Sequence, residues 1–250
     1  YRNTQNALMR EDRQFTEGQG IYSNEEDRFS KFVETVEGII DDEARKWNTY
    51  VQEKNSQKNE LLDFNERLGE NVSVKELLAQ KAVELLGDPN VIYIDGGTTN
   101  LQFVRNLPYD IKTTVITNSP AIALALCNYP NIEIQLLGGT LQKTIQIVEG
   151  IGTLEQMKGM HFQVSVIGVS SLSAEGGITF PSMDEVILKK EALNHSQLVI
   201  AIADKSKLNS IAGFYATDIS AISILVTDET DESVLAPYRH AGVEVISCSE

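Results

Sequence analysis

Val91-Ile92-Tyr93-Ile94-Asp95-Gly96-Gly97-Thr98-Thr99-Asn100 is the stretch whose reading decides the fold. Its first five residues, apolar except for Asp95, read as a short buried strand. The next residues are two glycines, two threonines and an asparagine, and then Leu101 to Leu107 (LQFVRNL) has helical spacing. A strand that turns into a helix through Gly-Gly-Thr-Thr sets bare backbone N–H groups and hydroxyls at a helix N-terminus. First-turn N–H groups have no intrahelical partner and the helix dipole favours negative charge there, so the turn can hold an anion. Glycine lets a ligand come close to the backbone. Taken alone, the stretch is equally well read as a tight turn capped by threonine. It is neither a Walker A loop, since no Gly-Lys-Ser/Thr follows, nor a GxGxxG fingerprint.

Outward from this turn the chain alternates. Upstream, FNERLGENVSVKELLAQKAVELLGD (64–88) ends in an amphipathic helix, with Leu77, Leu78, Lys81, Ala82, Leu85 and Leu86 marking its period. Downstream, strands are expected at Thr113–Ser119, Ile132–Gly139, Phe162–Ser171, Gln197–Asp204, Ala221–Val226 and Val243–Ile246. Helices are expected at Pro120–Pro130, Gly150–Gly159, Met183–Asn194 and near Ser233–Tyr238. Strands that are nearly all apolar, alternating with helices, indicate an α/β fold with a mostly parallel sheet covered by helices on both faces. Ligands of such sheets sit beyond the carboxyl ends of the strands.

The residues at those ends form a set. They are Asp95, Gly96, Gly97, Thr98 and Thr99; Thr117, Asn118 and Ser119; Gly138 and Gly139 with Gln142 and Lys143 nearby; Gly168, Ser170 and Ser171; and Asp204 to Lys207. Small, hydroxyl and amide groups with a few charges suit a polyhydroxylated anionic small molecule. Three or four charge-assisted hydrogen bonds at about 1.5–3 kcal/mol each support micromolar binding after the cost of association.

From about Phe64 to the C-terminus the chain resembles the effector-sensing domain of the DeoR family of bacterial transcriptional repressors. The matching stretches are FNERLGENVSVKELLAQKA (64–82), VIYIDGGTTN (91–100), VITNS (115–119), IQLLGGTLQ (134–142), VSVIGVSSLSAEGGIT (164–179), Asp184-Glu185 with Lys189, and VIAIADKSKL (199–208). The resemblance implies a fold like that of ribose-5-phosphate isomerase and a phosphorylated sugar or related metabolite as effector. It implies that Asp95, Gly96, Gly97, Thr98 and Thr99 cradle the phosphate, with Asn118, Gly139, Glu185 and Lys207 around the ligand; Gly168 and Lys143 join this set from the strand ends. Many family members carry an arginine shortly after the Gly-Gly of the third strand, Gly138-Gly139 here, where this chain has Gln142 and Lys143. It also implies operator DNA as a partner. An isomerase of this fold draws its catalytic carboxylates from the turn after the fourth strand, which here reads GVSSLSAEGG (168–177). Serines stand where carboxylates are expected, so a sensor without catalytic residues is the expectation. Glu185 is the residue that keeps a sugar-phosphate isomerase as one alternative; a sensor variant that oligomerises without binding DNA is the other.

The segment 1–63 departs from the family pattern of a basic helix-turn-helix. It holds nine Lys/Arg and fourteen Asp/Glu, a net of −5, within a 250-residue chain of net charge −15. Acidic surfaces repel nucleic-acid phosphate. Residues 1–20 read as polar and loosely ordered. A capping box at Ser23–Glu26 opens one long amphipathic helix marked by Phe29, Phe32, Val33, Val36, Ile39, Ile40, Trp47, Tyr50 and Val51. Its stripe must pack on the rest of the chain, on a second copy or on a partner, and a homo-oligomer is expected. The domain division is therefore 1–63 and 64–250. Two distant cysteines, Cys127 and Cys248, give no zinc spacing and fit a reducing cytoplasm. No cofactor, metal, signal peptide or membrane partner is expected.

Overall fold

The structure is a computed structural model that describes residues 2–17, 27–39 and 63–249. The chain divides into two compact units, Tyr1–Glu60 and Leu61–Glu250.

In the first unit, helix α1 spans Arg2–Glu17 and residues 28–39 form α2. The helix at 2–17 overturns the loosely ordered reading of this segment. Apolar residues are few, but Ala7, Leu8, Glu11, Gln14 and Phe15 fall at helical steps and are half-buried. Phe15 stacks on Phe32 of α2 with ring centroids 4.4 Å apart, and Phe29 meets it edge-on at 6.5 Å. Arg28 donates to the carbonyls of Phe15 and Thr16, capping the last turn of α1 with a cation. Among the described residues, a bulky aromatic and an arginine cap thus hold a helix that shows too few hydrophobic residues to betray itself by period. The remainder of the expected long helix (23–26 and 40–51), including its capping box, lies outside the described residues.

The second unit is built on a seven-stranded sheet of order β12-β11-β9-β6-β1-β2-β3. Its strands are β1 Val91–Ile94, β2 Thr113–Thr117, β3 Ile132–Leu136, β6 Phe162–Gly168, β9 Ser196–Ile202, β11 Ile224–Thr227 and β12 Glu244–Ser247. All neighbours pair in parallel. In β1, Ile92 and Ile94 pack into one core cluster and Tyr93 into another on the opposite side, the period-two alternation of a strand covered on both faces. The first cluster also takes in Leu78 and Ala82 of α4 (Val72–Glu84), Leu101 and Val104 of α5 (Thr98–Arg105), and Ile122 and Leu126 of α6 (Pro120–Leu126). The opposite face is covered by α7 (Ile151–Met157), α8 (Met183–Asn194) and α9 (Glu232–His240), which bury Met157, Leu188, Leu193, Leu235 and Tyr238.

The strand order carries the functional information. From β1 the chain winds outward through β2 and β3, then returns across the sheet to β6 and winds the other way through β9, β11 and β12. The direction reverses between β1 and β6, where the loops leaving the two strands part and open a crevice. Ile94, the last residue of β1, pairs with Val166, and β6 runs two residues further to Gly168.

Two small antiparallel pieces were not expected from the sequence. The Phe162–Ser171 strand breaks at Gly168, and β7 (Ser171–Ser173) instead pairs with β8 (Gly177–Phe180), which in turn pairs with β10 (Phe214–Thr217). After β3, β4 (Thr140–Gln142) and β5 (Ile147–Glu149) form a hairpin. Ahead of α4, α3 (Phe64–Gly69) opens on a capping box in which Asp63 and Glu66 satisfy each other's backbone N–H groups.

Candidate ligand-binding site

Asp95 follows β1 directly and is buried, with its backbone N–H bound to the carbonyl of Val166 at 3.0 Å. Its carboxylate forms an ion pair with Lys189 of α8 and accepts the N–H of Gly168 at 3.3 Å. Lys189 also donates to the carbonyl of Gly168 at 2.8 Å and lies 4.8 Å from the centre of the Phe180 ring. One carboxylate and one ammonium thus join the ends of β1 and β6 to α8. Asn100 adds a second stitch, donating to the carbonyls of Asp95 at 2.8 Å and Val166 at 3.4 Å.

Above this floor runs the Gly96-Gly97 turn. A Cβ on Gly96 would run into the side chain of Ile147, and Gly97, at φ 137°, lies where L side chains are strained. The first intrahelical bond of α5 runs from the N–H of Leu101 to the carbonyl of Gly97, 3.0 Å. The N–H groups of Thr98, Thr99 and Asn100 are therefore left over at the helix N-terminus. Asn118, buried after β2, accepts the N–H of Gly96 at 3.3 Å and so fixes the turn from behind.

These groups line a cleft of about 170 Å³ at the sheet's switch point. Its walls bring together Gly96, Gly97, Thr98, Thr99 and Asn100 from β1–α5, Gly168 to Ser170 after β6, Glu185 and Lys189 of α8, and Asp204, Ser206 and Lys207 after β9. Of the residues singled out in the sequence, Gly96 to Thr99, Gly168, Ser170, Glu185, Asp204, Ser206 and Lys207 line it. Asp95 and Asn118 lie behind the lining as supports. Gly139 and Lys143 are not among the lining residues. Gly139 packs against Thr153 and the Glu149 backbone, and Lys143 sits exposed in the turn of the β4–β5 hairpin.

The far wall was not anticipated. It is made by Arg67 and Glu70 of the α3 region, Asn71, and Lys75 of α4. Lys75 shares the buried face of α4 with Leu78, Ala79 and Ala82. A lysine on an apolar stripe is the signal that could have revealed it. Burial pushes the Lys75 ammonium down, Asp204 and Glu70 raise it, and Arg67 and Lys207 push it down again. Burial also lowers the Arg67 guanidinium, against the carboxylates of Glu185, Asp63 and Glu70. At Glu185 burial raises the carboxyl above its ordinary value; Lys189 and Arg67 pull it back, while Asp95 and Glu149 push it further. Among the described residues no cluster of His, Cys, Asp and Glu could hold a metal ion, and no helix is long and apolar enough to cross a membrane.

The switch-point cleft of this parallel sheet thus combines a helix N-terminus with four cationic side chains, Arg67, Lys75, Lys189 and Lys207, and three carboxylates, Glu70, Glu185 and Asp204. The DeoR C-terminal sensor domain family matches residues 70–229, and the chain belongs to that family. It is 31% identical over 178 residues to the HTH-type transcriptional regulator GlpR of Haloferax volcanii, covering 71% of this chain and 69% of that protein. It is 28% identical over 181 residues to a putative aga operon transcriptional repressor of Escherichia coli O157:H7, covering 72% of this chain and 67% of the relative. Among solved structures, ribose 5-phosphate isomerase A from Neisseria gonorrhoeae is similar at a TM-score of 0.39 and 19% identity, over 53% of this chain and 52% of that one.

Proposed function

We propose that this chain is a transcriptional regulator, a repressor of genes of sugar metabolism, whose second unit senses a phosphorylated sugar. The observation that carries the reading is the cleft itself. Free N–H groups of Thr98 to Asn100 face a space that is also lined by Arg67, Lys75, Lys189 and Lys207. In a chain of net charge −15, this concentration of cations around a helix N-terminus marks a place for an anion. Glu185, Glu70 and Asp204 on the same walls supply acceptors for sugar hydroxyls. The regulators GlpR and the aga repressor among the relatives support transcription as the output.

Ligand binding shifts an equilibrium between conformations or assemblies and so changes operator occupancy. Self-association is supported by Phe29 and Val33 of α2, which are exposed. A thermal-shift panel of sugar phosphates on the full chain tests the effector, because a bound ligand raises stability by mass action. The reading predicts a shift with at least one phosphorylated sugar that is lost in a Thr98→Ala/Thr99→Ala double variant. Absence of any shift, or equal shifts in both proteins, overturns it. Gel binding to the DNA upstream of the chain's own gene tests the partner.

One observation favours a second reading as an isomerase. Glu185 is a buried carboxyl in the cleft with a raised proton affinity, the state a general base needs. Against it, Val169 and Ser170 supply no second carboxylate after β6, and Asp95 is tied to Lys189. Turnover of a pentose or hexose phosphate that disappears in Glu185→Gln would establish the enzyme.

A further inference from the structure

The far wall of the cleft is made by the first elements of the sensor unit. α3 begins at Phe64, three residues after the unit's first residue, Leu61. It is held by buried Phe64, whose N–H donates to the carbonyl of Thr144 at 2.9 Å, by Leu68 against the same core cluster, and by packing against α5. Its junction with α4 is conformationally demanding. Glu70 is extended and Asn71 is left-handed at φ 47°, and Asn71 makes no side-chain cap. A non-glycine residue at positive φ persists only where its surroundings hold it. One such restraint is Lys75, whose ammonium donates to the carbonyl of Arg67 in the last turn of α3.

Arg67 stands at the centre of this arrangement. It lines the cleft, and its Nε is buried with no hydrogen-bond partner among the described residues. A buried guanidinium N–H without an acceptor costs free energy, so Arg67 sits in an incompletely satisfied position that a shift of the side chain toward a bound oxyanion would relieve. Lys75 and Lys207 line the same space, and both Arg67 and Lys207 repel Lys75. Glu70, Glu185 and Asp204 on the same walls offset part of this repulsion, and an entering phosphate adds about two negative charges among the three cations. A phosphate seated on the N–H groups of Thr98 and Thr99 would satisfy them.

We propose that Arg67, flanked by Lys75 and Lys207, is the ligand contact that couples anion binding in the cleft to the segment by which the chain enters the sensor unit. The inference rests on the reading of the cleft as a phosphate site and adds the route out of it. A phosphate monoester bridges two elements: the N-terminus of α5, anchored to the sheet, and Arg67 of α3, a helix of six residues that opens the sensor unit. Binding therefore immobilises α3 and the Glu70-Asn71 junction, and with them the point from which residues 1–60 depart. A neutral sugar cannot do this, so the class of ligand that signals is an oxyanion with at least two free oxygens, one for each wall.

The test is hydrogen–deuterium exchange on the full chain with inorganic phosphate and with ribose 5-phosphate. In the unaltered protein both ligands should slow exchange at Thr98 to Asn100 and also along 64–71. In Arg67→Gln, affinity should fall by about tenfold to hundredfold, the loss of one charge-assisted contact. At saturating phosphate this variant should still be protected at Thr98 to Asn100 but not along 64–71. Arg67→Lys keeps the charge without the planar fork and should lie between the two; it carries the test if Arg67→Gln does not fold. Unchanged affinity in both variants, or protection of 64–71 by phosphate in Arg67→Gln, overturns the proposal. Protection at Thr98 to Asn100 without any at 64–71 in the unaltered protein also overturns it, and leaves the phosphate site standing. No protection anywhere by either ligand overturns both.

Discussion

Removing Lys189 alone should damage the protein far more than removing Lys189 and Asp95 together. The two side chains are 7% and 2% exposed and form an ion pair below the cleft. Lys189→Met fills similar volume but leaves the Asp95 carboxylate buried, with only the Gly168 N–H at 3.3 Å to offset its charge. Breaking a buried pair in this way costs about 3–5 kcal/mol. A domain of this size has about 5–15 kcal/mol in total. At about 2–4 °C per kcal/mol, the melting temperature of the sensor unit should fall by roughly 6–20 °C. In Asp95→Asn/Lys189→Met no charge is buried, and the Asn oxygen can still accept the Gly168 N–H. The double variant should recover to within about 1–2 kcal/mol of the original. Calorimetric melting of the full chain at neutral pH measures both. A loss below about 1 kcal/mol for Lys189→Met, or a double variant no better than the single one, would refute the view that this pair holds the floor of the cleft together.

Gly96→Ala should cost about 1–3 kcal/mol, because its Cβ meets Ile147, and ligand-induced stabilisation should be lost with the shape of the turn. Glu185 makes stability depend on pH. Its folded-state carboxyl is raised from 4.5, so the folded protein holds this proton more tightly than the unfolded chain, and stability falls as pH rises from about that value through the folded pKa. Glu185→Gln should remove this slope and be more stable than the original at pH 7, with the difference vanishing below pH 4.5; denaturant midpoints across pH check it. Lys143→Ala should leave phosphate affinity unchanged within about twofold, since the side chain sits in an exposed hairpin turn outside the cleft; a larger loss in a binding titration would return it to the site.

What could be read in advance follows from where the information resides. Strands buried on both faces must be apolar along their length, so Val91 to Ile94 and Val199 to Ile202 announced themselves. The Gly96-Gly97-Thr98-Thr99 turn was visible because backbone geometry demands glycine there. The order of the strands was not visible. Which strand lies beside β1 is settled by non-local packing, and the crevice exists because that neighbour is β6. Collecting residues after strands led to Gly168, Asp204 and Lys207, yet it also collected Lys143, which the β4–β5 hairpin carries out to solvent. The same rule missed Arg67 and Lys75 because they lie on helices ahead of the first strand. Lys75 had left a trace as a charge on the apolar stripe of α4. Arg67 had left none, since one arginine in a short polar helix is ordinary until the fold turns it into the cleft. In the first unit, α1 went unread because the contacts among its described residues include Phe15 on Phe32 and a cap from Arg28, thirteen residues away, neither of which shows as a hydrophobic period.

The central claim is that the switch-point cleft takes a phosphorylated sugar by its phosphate. Isothermal titration of the full chain with a panel of pentose and hexose phosphates, each paired with its unphosphorylated sugar, tests it most directly. At least one phosphate ester should bind with a Kd on the order of micromolar, and its parent sugar at least about a hundredfold more weakly, as two lost charge-assisted hydrogen bonds require. Equal affinity for a sugar and its phosphate, or heat from none of the phosphate esters, would contradict the account.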